Sequence, residues 1–283
     1  MIKNKPLQYQ TLSENQFWEF LGGQTHPAKF KLNDGIWVVR YTKDLQKHPR
    51  HNLRLASDLV GYRIAQKLGI PIPEFKVVKI GDSFKRNYFG QQKDEEIEIQ
   101  ASPATACKWL KDACYPEVRG EPLNEFWKEE YYLEIVARVR ATDTWIMNFD
   151  RPRKGNIILT GFHKSPNVFF IDFDQSFLAK YECPIHRLHW SEEVFRREWL
   201  DDPEVLSGFD GTGDIKCKSV QRLDHFKNVV VKMGNISDQE LNEILEEIPF
   251  EWEISVEARQ RWLKSFLYRR NITISNIEKE YLR

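Results

Sequence analysis

Three residues of this chain, Asp150, Asn156 and Asp172, are of the types and at the spacing that phosphoryl-transfer chemistry needs. They lie in the stretch DTWIMNFDRPRKGNIILTGFHKSPNVFFIDFDQSF, residues 143–177. Two short apolar runs, 156–160 and 168–171, have the length and flanks of buried strands and predict a hairpin. Pairing those strands brings Asp150, Asn156 and Asp172 to one end of it. In such an arrangement one aspartate can orient an attacking hydroxyl, and an amide with a second aspartate can hold metal ions on phosphates.

The rest of the chain must position these three. With 283 residues it has room for one large or two small domains and a sizeable core. Lys and Arg total 42, as do Asp and Glu, so no global field favours nucleic acid or an anionic membrane, and charge alone says nothing about partners; no direct nucleic-acid binding is expected. No apolar run approaches the length of a bilayer. The opening residues MIKNKPLQYQTL lack the apolar core of a signal peptide. Cysteines at 107, 114, 183 and 217 form no C-x-x-C pair, which fits free thiols in a reducing compartment. A cytoplasmic protein without membrane contact is therefore expected. Nine Trp and eighteen Phe argue for a well-packed core.

In chain order, Ser13 predicts a short helix over 14–20 that stops at Leu21-Gly22-Gly23. Extended runs at 28–31 and 36–41, joined by Asn33-Asp34-Gly35, predict a hairpin. Leu53, Ala56, Val60, Ile64 and Leu68 recur at helical spacing, and Gly69 stops that helix. Strands are expected over 75–80 and 84–89, then a polar, acidic surface loop over 91–100. From Ser102 the character turns helical: a helix over 103–113, and a long one over 122–147 that delivers the chain to Asp150. Further helices are expected over 192–200, 218–233, 238–247 and 256–270.

Several residues carry two readings. The glycine pair with Gln24 and Thr25 either lays N–H groups over phosphates or only ends a helix. Arg40 either holds phosphates from its strand or is a solvated strand arginine; Asp58 either pairs with it or sits on a solvated helix face. Asp143 orients the catalytic loop or has a structural or solvent role. Cys183, His186 and His189 offer three of zinc's ligands without an obvious fourth, against a loop packed by Trp190. Asp210-Gly-Thr-Gly-Asp214 is too isolated to be read as a phosphate loop.

Taken together, the chain resembles the short, stand-alone branch of the HipA-like kinases, bacterial relatives of the serine/threonine kinase toxin HipA, and more distantly the phosphatidylinositol kinases. Leu21-Gly-Gly-Gln-Thr-His-Pro, followed by Gly35-Ile-Trp-Val-Val-Arg40, is similar to the glycine loop and phosphate-holding strand. Residues 58–73, DLVGYRIAQKLGIPIP, are similar to the regulatory helix and its exit. Asn148-Phe-Asp-Arg-Pro-Arg-Lys-Gly-Asn156 is similar to the catalytic loop, and Ile171-Asp-Phe-Asp174 to the metal-binding strand end. Residues 244–252, ILEEIPFEW, with the helix after them, are a weaker fifth match. The chain departs from the family in four places. Arg40 stands where Lys is usual, and Asp58 where Glu is usual. The Asp150-to-Asn156 spacing is one residue long, and Asp174 replaces the glycine of Asp-Phe-Gly, either as an added carboxylate ligand or only solvating the segment.

The resemblance implies a two-lobed, protein-kinase-like α+β fold. Its N-lobe would cover 1–101 with a small antiparallel sheet, and its mainly helical C-lobe 102–283. It implies ATP and Mg2+ as cofactors and γ-phosphate transfer to a protein serine or threonine. Asp150 would orient the acceptor hydroxyl, with Arg151 positioning it. Gly22, Gly23, Gln24, Thr25, Arg40 and Asp58 would serve the nucleotide, and Asn156 and Asp172 the metal. An antitoxin or regulatory protein is an expected partner. A small-molecule or lipid kinase, an AMP-transferase and a non-catalytic nucleotide-binding module are rival readings of the same fold.

Overall fold

The structure, a computed structural model, describes residues 9–21, 26–42, 51–89, 94–114, 135, 138–139, 141–143, 145–146, 148, 156–161, 167–174, 176 and 223–281. Its first part is a sheet of β1 (Gln10–Leu12), β2 (Phe17–Phe20), β3 (Ala28–Leu32), β4 (Gly35–Arg40) and β5 (Phe75–Ile80), with a separate hairpin β6 (Phe84–Phe89) and β7 (Asp94–Ile99), then β8 (Pro103–Lys108). The six-stranded sheet runs β1-β5-β8-β4-β3-β2. Its pairs are antiparallel except β1 with β5, so the expected antiparallel sheet is mixed at one edge. Period-2 alternation builds it. Ala28, Phe30 and Leu32 of β3 and Trp37 and Val39 of β4 point to one face, where they meet Phe84, Ile97 and Ile99 of the β6–β7 hairpin in one core. The turn between β3 and β4 uses Gly35 at φ +128°, which a side chain would strain.

Helix α1 (His51–Leu68) covers the other face and carries thirteen buried residues. A second core joins it to the C-terminal helices α2 (Leu223–Asn235), α3 (Asp238–Glu246) and α4 (Val256–Tyr281), and to the hairpin β9 (Ile157–Thr160) and β10 (Asn167–Phe170). A helix buried on most of its circumference needs apolar residues on more than one stripe, which α1 has. Residues 135, 138–139, 141–143 and 145–146 are helical and join the same core through Ile135, Val139, Trp145 and Ile146. Trp145 donates its indole N–H to the Phe266 carbonyl at 2.9 Å, and Arg269 Nε donates to the Trp145 carbonyl at 2.8 Å. Trp252 Nε1 donates to the Pro103 carbonyl at 3.0 Å, tying the end of the chain to β8. Full burial of such an aromatic side chain contributes roughly 2–3 kcal/mol.

Three expected elements differ. The helix expected over 103–113 is strand β8, central in the sheet, because it pairs with β4 on one side and β5 on the other. Ala104 and Ala106 are small residues without strong β preference, and two flanking ladders override their propensity. The polar segment 91–100 contains β7, whose Ile97 and Ile99 alternate with glutamates and bury. The short helix over 14–20 is a single 3-10 turn, Glu14–Gln16, followed by β2. Gln16 Oε1 accepts from the Ser13 N–H at 2.9 Å, but Phe17 and Phe20 pair with Phe30 and Ala28 instead of continuing the helix. The other described expectations hold as elements: α1, β5, β6, the β9–β10 hairpin and three C-terminal helices, of which α4 runs eleven residues beyond 270 to Tyr281. The expected helix over 192–200, the Cys183–His186–His189 motif and the 210–214 loop lie outside the described residues.

Candidate functional site

Arg40 ends β4. Trp37 and Val39 point into the core beneath the hairpin, so Arg40 emerges on the opposite face, toward α1 and across from Thr105 of β8. Asp58 lies on α1 and is buried. After β10, the Ile171 N–H donates to the Asn156 carbonyl at 3.1 Å and the Phe170 N–H to the Pro71 carbonyl at 2.9 Å. The next residue, Asp172, adopts φ +64°. A left-handed aspartate costs of order 1 kcal/mol, and it swings the carboxylate back toward the sheet.

These residues meet. Arg40 Nη1 donates to Asp172 Oδ1 at 2.8 Å, and Nη2 lies 2.8 Å from Asp172 Oδ2, a two-pronged pair. Arg40 Nη1 is 3.4 Å from Asp58 Oδ1 and 3.6 Å from Asp174 Oδ2. Asp58 holds the same segment by its backbone: its Oδ1 accepts from the Phe173 N–H at 3.1 Å, while Oδ2 accepts from the Thr105 hydroxyl at 3.1 Å. The Phe173 ring packs edge-on to Tyr62, which stacks on Phe75 and accepts from the Cys107 thiol at 2.8 Å. Asn148 Nδ2 donates to Asp143 Oδ1 at 3.1 Å and lies 3.5 Å from the Asp172 carbonyl.

Three carboxylates thus surround one guanidinium. Burial works against the charge of Arg40, but Asp172, Asp58 and Asp174 outweigh it and keep the guanidinium protonated. Burial likewise opposes ionisation of Asp172, yet the charge and hydrogen bonds of Arg40 hold its carboxyl well below the usual range. For Asp58 burial prevails, and its carboxyl is raised despite Arg40. Burial, with Asp172 and Asp58 nearby, lifts Asp174 to about 7 against the pull of Arg40.

Among the described residues, no three His, Cys, Asp or Glu side chains converge with metal-ligand spacing; the carboxylates converge on Arg40. The donors are nonetheless all carboxylate oxygens, the set a magnesium ion prefers. Burial first, and then the neighbouring carboxylates, lift Asp174, and a divalent cation would relieve the negative charge gathered here. Asp172 and Asn156 are oxygen donors of the type that would hold such an ion.

The Arg40 face of the sheet continues to its edge. Lys29 pairs with Val38, two residues before Arg40, and the Trp109 N–H donates to the Ile36 carbonyl at 2.8 Å. Lys29 Nζ lies 3.9 Å from the Trp109 ring centroid and 5.4 Å from that of Trp18. Both tryptophans are exposed, at 39% and 54%.

Of the residues singled out from the sequence, Arg40, Asp58 and Asp172 are brought together, and Asn156 is buried one hydrogen bond from the segment that carries Asp172. Asp150, Arg151, Gly22, Gly23, Gln24 and Thr25 lie outside the described residues. Asp174 is buried rather than solvating its segment, and Asp143 is buried against Asn148. Thr105, Asn148 and the Tyr62–Cys107 pair had no role that the sequence pointed to. Asn148 could have been found from its place two residues before Asp150. Thr105 carries no local signal, since it reaches Asp58 only through the pairing of β8.

The fold and this site together define a class. The chain has the two-lobed, protein-kinase-like α+β fold: a mixed-sheet half-barrel followed by a mainly helical part. It superimposes on the crystal structure of the Helicobacter pylori proinflammatory kinase CtkA with a TM-score of 0.62, at 12% identity, over 97% of this chain and 98% of that one. The model of the HipA-like kinases matches residues 21–207, well over half the chain, and the chain belongs to that family of phosphotransferases. No curated protein matches it. Among the described residues no helix is long and apolar enough to cross a membrane.

Proposed function

We propose that the chain is an ATP- and magnesium-dependent kinase that transfers the γ-phosphate to a serine or threonine of a protein. The observation that carries this is the meeting of Arg40 from β4, Asp58 from α1 and Asp172 after β10 on one sheet face. A fixed cation beside a carboxylate pair suits the binding of a metal–polyphosphate. In this reading Asp172, with Asn156 beside it, would hold magnesium, and Arg40, steadied by Asp58, would hold the α- and β-phosphates. Magnesium would supply neutralisation of the phosphate charge. Gly22, Gly23, Gln24 and Thr25 would cover the phosphates with backbone N–H groups. The exposed rings of Trp18 and Trp109 beside Lys29 would receive the base by stacking. Asp150 would orient the acceptor hydroxyl, with Arg151 positioning it. Thr105 and the Phe173 N–H fix Asp58 beside Arg40.

A cytoplasmic setting and a partner antitoxin or regulatory protein are part of the same proposal. Incubation with γ-labelled and α-labelled ATP tests the chemistry. Label transferred to protein serine or threonine from the γ-position alone is the expected result. Transfer from the α-position would make it an AMP-transferase. Binding without transfer would make it a nucleotide-binding module.

A further inference from the structure

We propose that Arg40 is a latch: its two-pronged grip keeps divalent metal off Asp172 until the phosphates of a nucleotide draw the guanidinium away, so metal and nucleotide bind as a coupled pair. The inference rests on the reading of Asp172 as a metal ligand and deepens it.

Both oxygens of Asp172 are engaged, by Nη1 and Nη2 at 2.8 Å each. The contacts to Asp58 at 3.4 Å and to Asp174 at 3.6 Å are longer, so the fork is committed to Asp172. This is a consequence of arginine. A lysine ammonium is a point charge and cannot span both oxygens of a carboxylate in parallel. A doubly charged cation at Asp172 would stand a few ångströms from the guanidinium, where partial burial screens the repulsion poorly.

Asp58 is occupied by the Thr105 hydroxyl on one oxygen and by the Phe173 N–H on the other. The end of β4 is held by its pairing with Thr105. The side chains of Arg40 and Asp172 are 17% and 22% exposed, so the pair is not sealed from water. An anion entering there is the natural competitor, and a phosphate offers a guanidinium the same pair of oxygens that a carboxylate does. By linkage, whatever factor nucleotide adds to metal affinity, metal adds to nucleotide affinity.

The experiment uses the full chain and Mn2+ as the probe, read by electron paramagnetic resonance with and without a non-hydrolysable ATP analogue. Ion bound by free analogue is subtracted. The wild type should bind Mn2+ at least about tenfold more tightly with the analogue, within the usual range of coupling between sites. Arg40→Lys, with circular dichroism as the check of folding, should bind Mn2+ without nucleotide about tenfold more tightly than the wild type does. Equal affinity of Arg40→Lys and wild type in the nucleotide-free state overturns the latch. So does a wild type that binds Mn2+ equally well with and without the analogue, a result that needs no variant. Asp172→Asn in the analogue complex separates the two readings. Lost Mn2+ binding upholds Asp172 as a ligand whatever Arg40→Lys does, whereas retained binding removes that assignment and the latch with it.

Discussion

Gly61 is the position at which a single methyl group should disturb the candidate site from a distance. It lies in the interior of α1, and a Cβ built there would stand 2.3 Å from Phe173 Cβ, 2.7 Å from its Cγ and 3.0 Å from its Cδ1. Carbon atoms rest about 3.5–4.0 Å apart. The atoms met are the root of the side chain, which no rotamer change can withdraw, so the backbone between Asp172 and Asp174 must move. Two terms oppose each other in Gly61→Ala. Alanine in a helix interior gains about 1 kcal/mol over glycine. Overpacking a filled core costs about 1–3 kcal/mol, and contacts this short belong at the upper end. The net is a loss of about 2 kcal/mol. For a chain of this size that lowers the melting temperature by roughly 4–8 °C. The displacement of Phe173 also breaks the N–H bond to Asp58 and loosens Asp172 from Arg40. The assay is differential scanning fluorimetry of both chains with and without Mg-ATP. Gly61→Ala should melt lower and lose most of the nucleotide-induced rise. A variant that melts at or above the parental temperature, with its nucleotide shift intact, would refute the close packing of α1 on the 172–174 segment.

Three further outcomes are expected. Asp150→Asn should bind Mg-ATP as the parent does yet lose about two to four orders of magnitude in transfer, the usual worth of a positioned acid–base group, while Asp172→Asn should lose both; parental transfer by Asp150→Asn would take Asp150 out of the chemistry. Desolvation pushes the half-buried Cys107 thiol up to about 12, so at pH 8 it stays protonated, and iodoacetamide followed by mass spectrometry should label it much more slowly in the native chain than after unfolding; labelling of the native chain at the rate of a free thiol would contradict that shift. Lys67 and the N–H and hydroxyl of Ser237 lower Glu240 to about 2 from an ordinary 4.5, so its stabilising contribution is complete above about pH 4.5 and fades as pH falls toward 2. Urea titrations across that range should show a shallower acid loss in Glu240→Gln, and identical slopes would mean the carboxylate is unpaired in solution.

What the sequence determined alone was local. The apolar runs of β9 and β10, the helical spacing from Leu53 to Leu68 and the Asn-Asp-Gly turn are each settled by residues within a few positions of one another, and each appears where its pattern lies. The choice of Arg40, Asp58 and Asp172 as site candidates was also legible, because their types and order match a family pattern. Tertiary structure decided the rest. Pro103–Lys108 is a strand because β4 and β5 flank it, a fact absent from its own composition. Arg40 reaches Asp172 across 132 positions of sequence, and the choice of Asp172 over Asp58 as its closest partner depends on a left-handed φ at 172 and on Thr105 and Phe173 occupying Asp58. Periodicity records which face of an element is apolar; which charged groups then share a face, and which wins the guanidinium, is set by distances that exist only once the sheet, α1 and the β9–β10 hairpin have packed.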